Sequence, residues 1–209
     1  MSTRNPERTR ESILAAATEE FSQNGLEGAR VDRIARRAGV NKRMLYHYFG
    51  NKEDLFLAVL EAVYRDIRSH ELELNLEALA PADAMRELVE YTFDYYIANP
   101  HFIRLLNNEN LYGARHLKRS GEIPRMHSPL VSLLAGVLRK GEADGVFRGG
   151  VDPVQLYISI AGVCYFYMSN ADTLSTIFAT DLRAPKAIRA RREHAADVIL
   201  GYLLAVRSD

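Results

Sequence analysis

The sequence predicts an all-α fold. Apolar residues recur at helical spacing nearly throughout, no run of alternating apolar and polar residues is long enough for a sheet strand, and prolines and Asn/Gly breaks fall at helix-length intervals. The composition is that of a folded globular chain: 209 residues, 47% hydrophobic, 26% charged, 9% aromatic. A unit of this size buries roughly 70% of its unfolded surface, so neither a disulfide nor a metal is needed to hold a core. The single cysteine, Cys164, excludes an internal disulfide framework and a cysteine-based zinc site. No apolar run approaches the roughly 18 residues of a membrane span, and the charged start has no signal-peptide core. A cytoplasmic protein with no membrane partner is expected.

Nine helices follow in order. The first opens on Asn5 as N-cap with Pro6 behind it, carries Ile13, Ala17 and Phe21 on one stripe, and ends at Asn24-Gly25; Arg4 ahead of it reads more simply as a terminal charge than as a minor-groove arm. A second spans 31–38 and breaks at Gly39-Val40. Asn41 caps a third over 42–49, and Gly50 breaks it. Asn51 caps a long fourth, with Asp54 at its third position, that runs through Leu55, Val59, Val63 and Ile67 to about 76. Five more span 82–98, 101–116, 129–142, 153–178 and 185–206, each opened by or near a proline, with surface loops expected over 118–128 and 141–151. Pro81 marks a seam, giving three segments: 1–52, a connecting helix over 53–80, and 81–209.

Net charge is zero, yet the charge is not evenly spread. Residues 28–52 hold seven basic side chains (Arg30, Arg33, Arg36, Arg37, Lys42, Arg43, Lys52) against one acid, Asp32. A compact basic patch on a mildly acidic remainder suits local phosphate contact. Within it, Ala35, Gly39 and Leu45 meet the three needs of a helix-turn-helix: a small residue where the helices cross, a turn residue that accepts positive φ, and an apolar anchor on the second helix. The polar face left over is the basic face.

Residues 31–55, Val-Asp-Arg-Ile-Ala-Arg-Arg-Ala-Gly-Val-Asn-Lys-Arg-Met-Leu-Tyr-His-Tyr-Phe-Gly-Asn-Lys-Glu-Asp-Leu, resemble the DNA-binding segment of the tetracycline-repressor family of bacterial regulators. The resemblance covers roughly 8–60, and Leu-Tyr-His-Tyr-Phe followed by Asn-Lys-Glu-Asp-Leu is more specific than a bare helix-turn-helix pattern. It implies an N-terminal DNA-binding domain of three helices, a linking fourth helix, and a helical C-terminal domain that dimerises and holds a small effector. It also implies Asn41, Lys42, Arg43 and Tyr46 in the major groove and His47 and Lys52 at phosphates, with Arg33 beside them. Physically, Arg43 can read guanine bidentately, and Lys52 stands in a first helical turn that favours anions. Where the family often has Ser or Thr, this chain has Met44. Tyr48 and Phe49 read as core aromatics.

The segment 99–111 is similar, more loosely, to a subgroup that includes repressors of pyrimidine and nicotinate catabolism, which implies a small polar or aromatic metabolite as effector. Candidate pocket residues on largely apolar helices are Tyr95, Arg104, Asn108, His116, Tyr157, Tyr165 and Asn170. The lone histidines at 101, 116 and 127 read more simply as surface or satisfied core groups than as ligands, and Cys164 as an inert buried thiol rather than a redox sensor. The last two long helices carry wide apolar faces. Leu156, Ile160, Val163 and Tyr167 on one, with Ile188, Ala195, Val198, Ile199 and Tyr202 on the other, are the expected two-fold interface of a homodimer.

No nucleophile elbow, metalloprotease helix, phosphate-cradling glycine loop or Cys/His cluster occurs. The expectation is therefore a regulator of double-stranded operator DNA, with no catalytic residue, metal or cofactor. The competing reading is a small-molecule-binding helical protein or enzyme without sequence-specific DNA binding.

Overall fold

The computed structural model describes residues 5–205, so Arg4 and Val206 lie outside the described residues. Among these residues there are ten α-helices: α1 (Pro6–Gly28), α2 (Val31–Arg37), α3 (Lys42–Phe49), α4 (Lys52–Glu73), α5 (Pro81–Ala98), α6 (Pro100–Leu111), α7 (Glu122–Ala143), α8 (Pro153–Ser169), α9 (Ala171–Ile177) and α10 (Pro185–Leu203). The extended pairing among them is an isolated antiparallel bridge between Phe147 and Leu204. No described helix is long and apolar enough to cross a membrane.

Caps explain where the N-terminal helices begin. The Asn5 side chain accepts from the Glu7 amide at 3.0 Å, and Asn41 from the Met44 amide at 2.7 Å. Asn51 Oδ1 accepts from the Asp54 amide at 2.9 Å while its Nδ2 donates to the Asp54 carboxylate at 2.5 Å. The break in α1 falls at Gly25 (φ 65°, ψ 178°), beyond which one more turn reaches Gly28. A Cβ at Gly25 would come within 2.6 Å of Asn108 Nδ2. Both the left-handed backbone and this close approach require glycine.

Three elements differ from expectation. The helix that opens at Pro129 starts instead at Glu122 and takes Pro129 into its interior. Ser120 is the reason: its hydroxyl accepts from the Glu122 and Ile123 amides, both at 3.2 Å, and so caps α7 ahead of the proline. The helix expected over 101–116 ends at Leu111, because Gly113 and Ala114 take positive φ (60° and 59°). The one expected over 153–178 divides at Asn170, whose φ/ψ of −114°/9° leave the helical region and whose Nδ2 donates back to the Phe166 carbonyl at 2.9 Å.

The chain forms two compact units, Met1–Asp66 with Pro100–Pro124, and Ile67–Asn99 with Arg125–Asp209. In the first, α6 packs on α1, and Ile13, Phe21, Ile34, Leu45, Phe56 and Phe102 are almost fully buried. Phe21 meets Phe56 edge to face at 5.1 Å. In the second, α5 packs against α8 and α10 over Leu88, Phe93, Leu156, Ile160, Ala195 and Ile199. Burial of each such large side chain contributes about 1.5–3 kcal/mol.

Candidate nucleic-acid interface

α2 and α3 are short, so tertiary burial rather than intrinsic propensity holds them. Ile34 and Leu45 are 0% exposed and Ala35 and Ala38 4%, which fixes one face of each helix inward. The turn between them is closed by Val40 N donating to the Ala35 carbonyl at 3.0 Å, with Gly39 at φ 64°. Ser12 of α1 donates to the Ala38 carbonyl at 3.1 Å and ties that turn to the core. The inward face thereby determines the outward one.

Outward from α2 and α3 stand Arg33, Arg36, Arg37, Lys42, Arg43, Tyr46 and His47, all exposed. Arg33 lies 3.7 Å from the buried carboxylate of Glu20, and Lys42 pairs with the exposed Asp32 at 3.2 Å. Arg36, Arg37 and Arg43 have no hydrogen bond or ion pair among the described residues. Tyr46 is 39% exposed, and the neighbouring Met44 36%. Asn41 is exposed but its Oδ1 is occupied as the cap of α3, which leaves the amide NH2 as its outward group. Lys52 is half-buried and donates to the Glu27 carbonyl at 3.1 Å. His47 stacks edge-on to Tyr48 at 5.7 Å, and Arg10 lies over the Phe49 ring at 5.4 Å. This is a surface of loosely held cations and donors on a rigid base, able to take phosphates and base edges without breaking strong internal bonds.

The seven expected effector contacts divide between the two compact units. In the first unit, Arg104 is exposed on α6. Asn108 Oδ1 accepts from the Leu26 amide at 3.1 Å and so holds the α1 break. His116 is fully buried, with Nδ1 2.6 Å from Glu109 Oε2, while Glu109 Oε1 accepts the His116 and Leu117 amides at 2.7 and 3.0 Å. The His116 ring also sits edge-on to Phe56 and Tyr112 at 5.1 and 5.5 Å. His116 and Asn108 are thus committed to structure. In the second unit, Asn170 ends α8, Tyr95 is buried beside Tyr91 and Tyr96, and Tyr165 is half-buried. Two surface clefts of this unit, of about 170 and 210 Å³, are lined by none of the seven.

Tyr157 belongs to a buried polar cluster that periodicity did not reveal. Arg68, 4% exposed, donates from Nη1 to Glu71 and from Nη2 to the Tyr157 hydroxyl at 2.9 Å, and its Cζ lies 5.2 Å from the Tyr157 ring centre. Arg68 Nε is buried with no hydrogen-bond partner among the described residues. Burial pushes the Glu71 carboxyl up to about 7 against the opposing pull of Arg68. Burial likewise raises the Tyr96 and Tyr157 phenols. Cys164 is buried, its thiol pushed up to about 12, and its Sγ faces the Val89 carbonyl at 3.8 Å; it is an unreactive core group. The sequence signal for this cluster was available: Glu71 follows Leu60, Val63 and Ile67 along the apolar stripe of α4, where a carboxylate has no place without a partner.

The expected dimer residues are largely interior. Leu156, Ile160, Tyr167, Ala195 and Ile199 are 0–7% exposed within the chain itself, which removes them from any surface; Val163 and Ile188 are half-buried. Val198 and Tyr202 are 43% and 46% exposed, with Arg148 stacked on Tyr202 at 3.5 Å. On α8 the exposed apolar side chains are instead Val154, Ile158 and Phe166. α8 carries no charged residue, so periodicity could not select between its faces. No set of three or more His, Cys, Asp or Glu is placed to hold a metal among the described residues.

Comparison with known proteins matches residues 13–59 to the family model "Bacterial regulatory proteins, tetR family" and residues 81–199 to "Tetracyclin repressor-like, C-terminal domain". The chain is 40% identical over 181 residues to the HTH-type transcriptional repressor NicS of Pseudomonas putida, covering 87% of this chain and 85% of that one. It is 31% identical over 176 residues to the HTH-type transcriptional regulator RutR of Escherichia coli, covering 83% and 80%. Among solved structures, Streptomyces coelicolor SCO4942 superposes with a TM-score of 0.68 at 27% identity, covering 93% of this chain and 98% of that one.

Proposed function

The chain belongs to the tetR family of bacterial regulatory proteins, and from that premise we propose that it represses transcription by binding a palindromic operator as a homodimer and releases it when a small-molecule effector binds. The carrying observation is the set of exposed, unpartnered guanidinium groups of Arg36, Arg37 and Arg43 on helices whose opposite faces are locked in a core. Arg43, Tyr46 and the Asn41 amide are assigned to base edges, and Arg33, Lys42, His47 and Lys52 to phosphates. DNA contact falls to residues 1–52, coupling to 53–80, and effector binding with dimerisation to 81–209. Two recognition helices reading a palindrome must stand about 34–36 Å apart, a distance a dimer fixes. The exposed Val154, Ile158, Phe166, Val198 and Tyr202 support α8 and α10 as the face that meets its two-fold copy.

Release follows if the effector binds more tightly to a dimer in which α4 has shifted, since the loss of operator affinity cannot exceed that difference in effector affinity. The effector is a small polar or aromatic metabolite. The test is binding of the purified protein to a fragment of its own upstream DNA across a salt series. Tight, salt-sensitive, sequence-selective binding by a dimer is expected; weak binding, equal on unrelated DNA, would overturn the reading.

A further inference from the structure

A buried acid lies behind the basic face of α2 and α3. α1 turns Ile13, Ala16, Ala17, Glu20 and Phe21 inward, and a carboxylate on such a stripe is costly unless it is answered. The Glu20 side chain is 3% exposed. Its Oε1 accepts from the Arg30 amide at 3.0 Å and lies 3.7 Å from Arg33 Nη1. Arg30 is the residue that opens α2, and its side chain makes no cap hydrogen bond, so the chain enters α2 from an amide fixed on α1. One oxygen thus holds the start of α2 and, one turn further on, the guanidinium of Arg33. The Arg33 side chain is still 51% exposed, which leaves room for a phosphate. Its neighbours are held differently: Arg36, Arg37 and Arg43 have no partner, and Lys42 pairs with Asp32, which is itself 68% exposed at its side chain.

We propose that Glu20 is a positioning residue for DNA binding: from inside α1 it holds Arg33 ready for a backbone phosphate, so that this contact forms without the ordering cost that the unpartnered arginines meet. The proposal rests on the assignment of Arg33 to a phosphate made above and adds what sets its position. Two effects of the carboxylate oppose each other. Its charge repels phosphates, but Glu20 stands behind Arg33, and across about a Debye length of solvent, ~8 Å at physiological salt, that repulsion is worth less than about twofold in affinity. Immobilising one long side chain on binding costs about two- to tenfold, so the saving is the larger effect. An acid that aids binding to a polyanion is the signature: removing its charge weakens the complex instead of tightening it. Asp32 has no such role, because the lysine it pairs with and its own carboxylate are both open to solvent.

Fluorescence anisotropy of the full chain on its upstream operator fragment and on unrelated DNA, across a salt series, tests this. Glu20→Gln keeps an acceptor for the Arg30 amide and removes the charge that holds Arg33. At physiological salt it should weaken binding to both DNAs about two- to tenfold. Its salt slope should match that of the wild type, because Arg33 is still present, whereas Arg33→Ala should lower the slope by about one. In the Arg33→Ala background, Glu20→Gln should cause no further loss, since the two side chains act as one unit. Unchanged or tighter binding by Glu20→Gln, which charge arithmetic alone gives, would overturn the proposal. An equal loss in both backgrounds, which a merely structural acid gives, would overturn it too. Should Glu20→Gln fail to fold, side-chain nitrogen relaxation of the wild-type chain decides: Arg33 Nε should be ordered while Nε of Arg36, Arg37 and Arg43 is mobile, with order parameters below about 0.6. An Arg33 as mobile as these three sinks the tether. Wild-type binding separates the two readings: equal binding to both DNAs sinks the operator reading and leaves the tether to the relaxation data, and selective binding beside a mobile Arg33 sinks the tether alone.

Discussion

The two compact units treat their charges in opposite ways. The first closes every contact of its buried Glu109–His116 pair, with two backbone amides and a ring nitrogen on one carboxylate, and keeps its unpartnered arginines outside. The second buries Arg68 and leaves one of its donors unanswered inside. A satisfied buried pair fixes a shape, whereas an unanswered buried donor leaves the cost of its desolvation in place. Outside, unpartnered arginines suit a partner too large to enclose. The contrast separates a unit whose interior is settled and whose free cations face outward from one whose interior holds an incompletely paired charge.

The largest effect should come from breaking the closed pair. Glu109→Ala removes the acceptor of two amides and of the fully buried His116 ring, and should cost about 3–5 kcal/mol of stability in urea unfolding. A loss below about 1 kcal/mol would mean that the pair is not closed in solution, and the contrast between the units would fall. Next in size, Arg43→Ala should cost about 1–3 kcal/mol of operator affinity and relax base preference at one position, with stability unchanged, because the side chain is exposed and unpartnered. Lys52→Ala should instead weaken all DNA sequences alike and lower the salt slope by about one. Filter binding on operator and scrambled DNA distinguishes the two roles.

The open cluster predicts a pH dependence of stability. Glu71 has a carboxyl raised from 4.5 to about 7 in the folded chain, so between those values the folded state holds a proton that the unfolded state has lost. The unfolding free energy contributed by this group therefore falls as pH rises through that window, by up to about 1.4 kcal/mol per pH unit. Other carboxylates slope the opposite way, so the measured quantity is the difference between wild type and Glu71→Gln across pH 4.5 to 7. Parallel curves would show that Glu71 stays ionised and that Arg68 has a complete counter-ion.

What was legible in the sequence follows the same division. The helix-turn-helix could be read because local rules decide it: Asn41 caps, Gly39 turns, Leu45 anchors, and the polar remainder is the contact face. His116 could not be assigned from periodicity, since its partner Glu109 lies seven residues back across a turn with positive φ at Gly113 and Ala114. Leu156 and Ile160 were indistinguishable from surface residues on a helix without charges, whereas the exposed Val154, Ile158 and Phe166 follow from how α5 and α10 cover α8. The ionic cluster required knowing that Tyr157 of α8 meets Arg68 of α4, 89 positions earlier. Pro129 misled because a proline usually opens a helix, and here the cap at Ser120 had already opened it.

The smallest effect has the opposite sign. Asp32 is the one acid in the basic stretch 28–52, 68% exposed at its side chain and paired with the exposed Lys42 at 3.2 Å. A pair so open to solvent contributes under about 1 kcal/mol, and the carboxylate also gains a few tenths from lying in the first turn of α2. Asp32→Asn should therefore lower stability by less than about 1 kcal/mol. It should also tighten binding to operator and unrelated DNA together, by a few-fold at low salt, because it removes a like charge from the phosphate-facing surface and frees Lys42. Selectivity between the two DNAs should not change, since no base edge is involved. If Asp32→Asn weakened binding, Asp32 would be holding Lys42 in the position that DNA requires. The outer face of α2 and α3 would then be a preorganised surface rather than a set of loose cations.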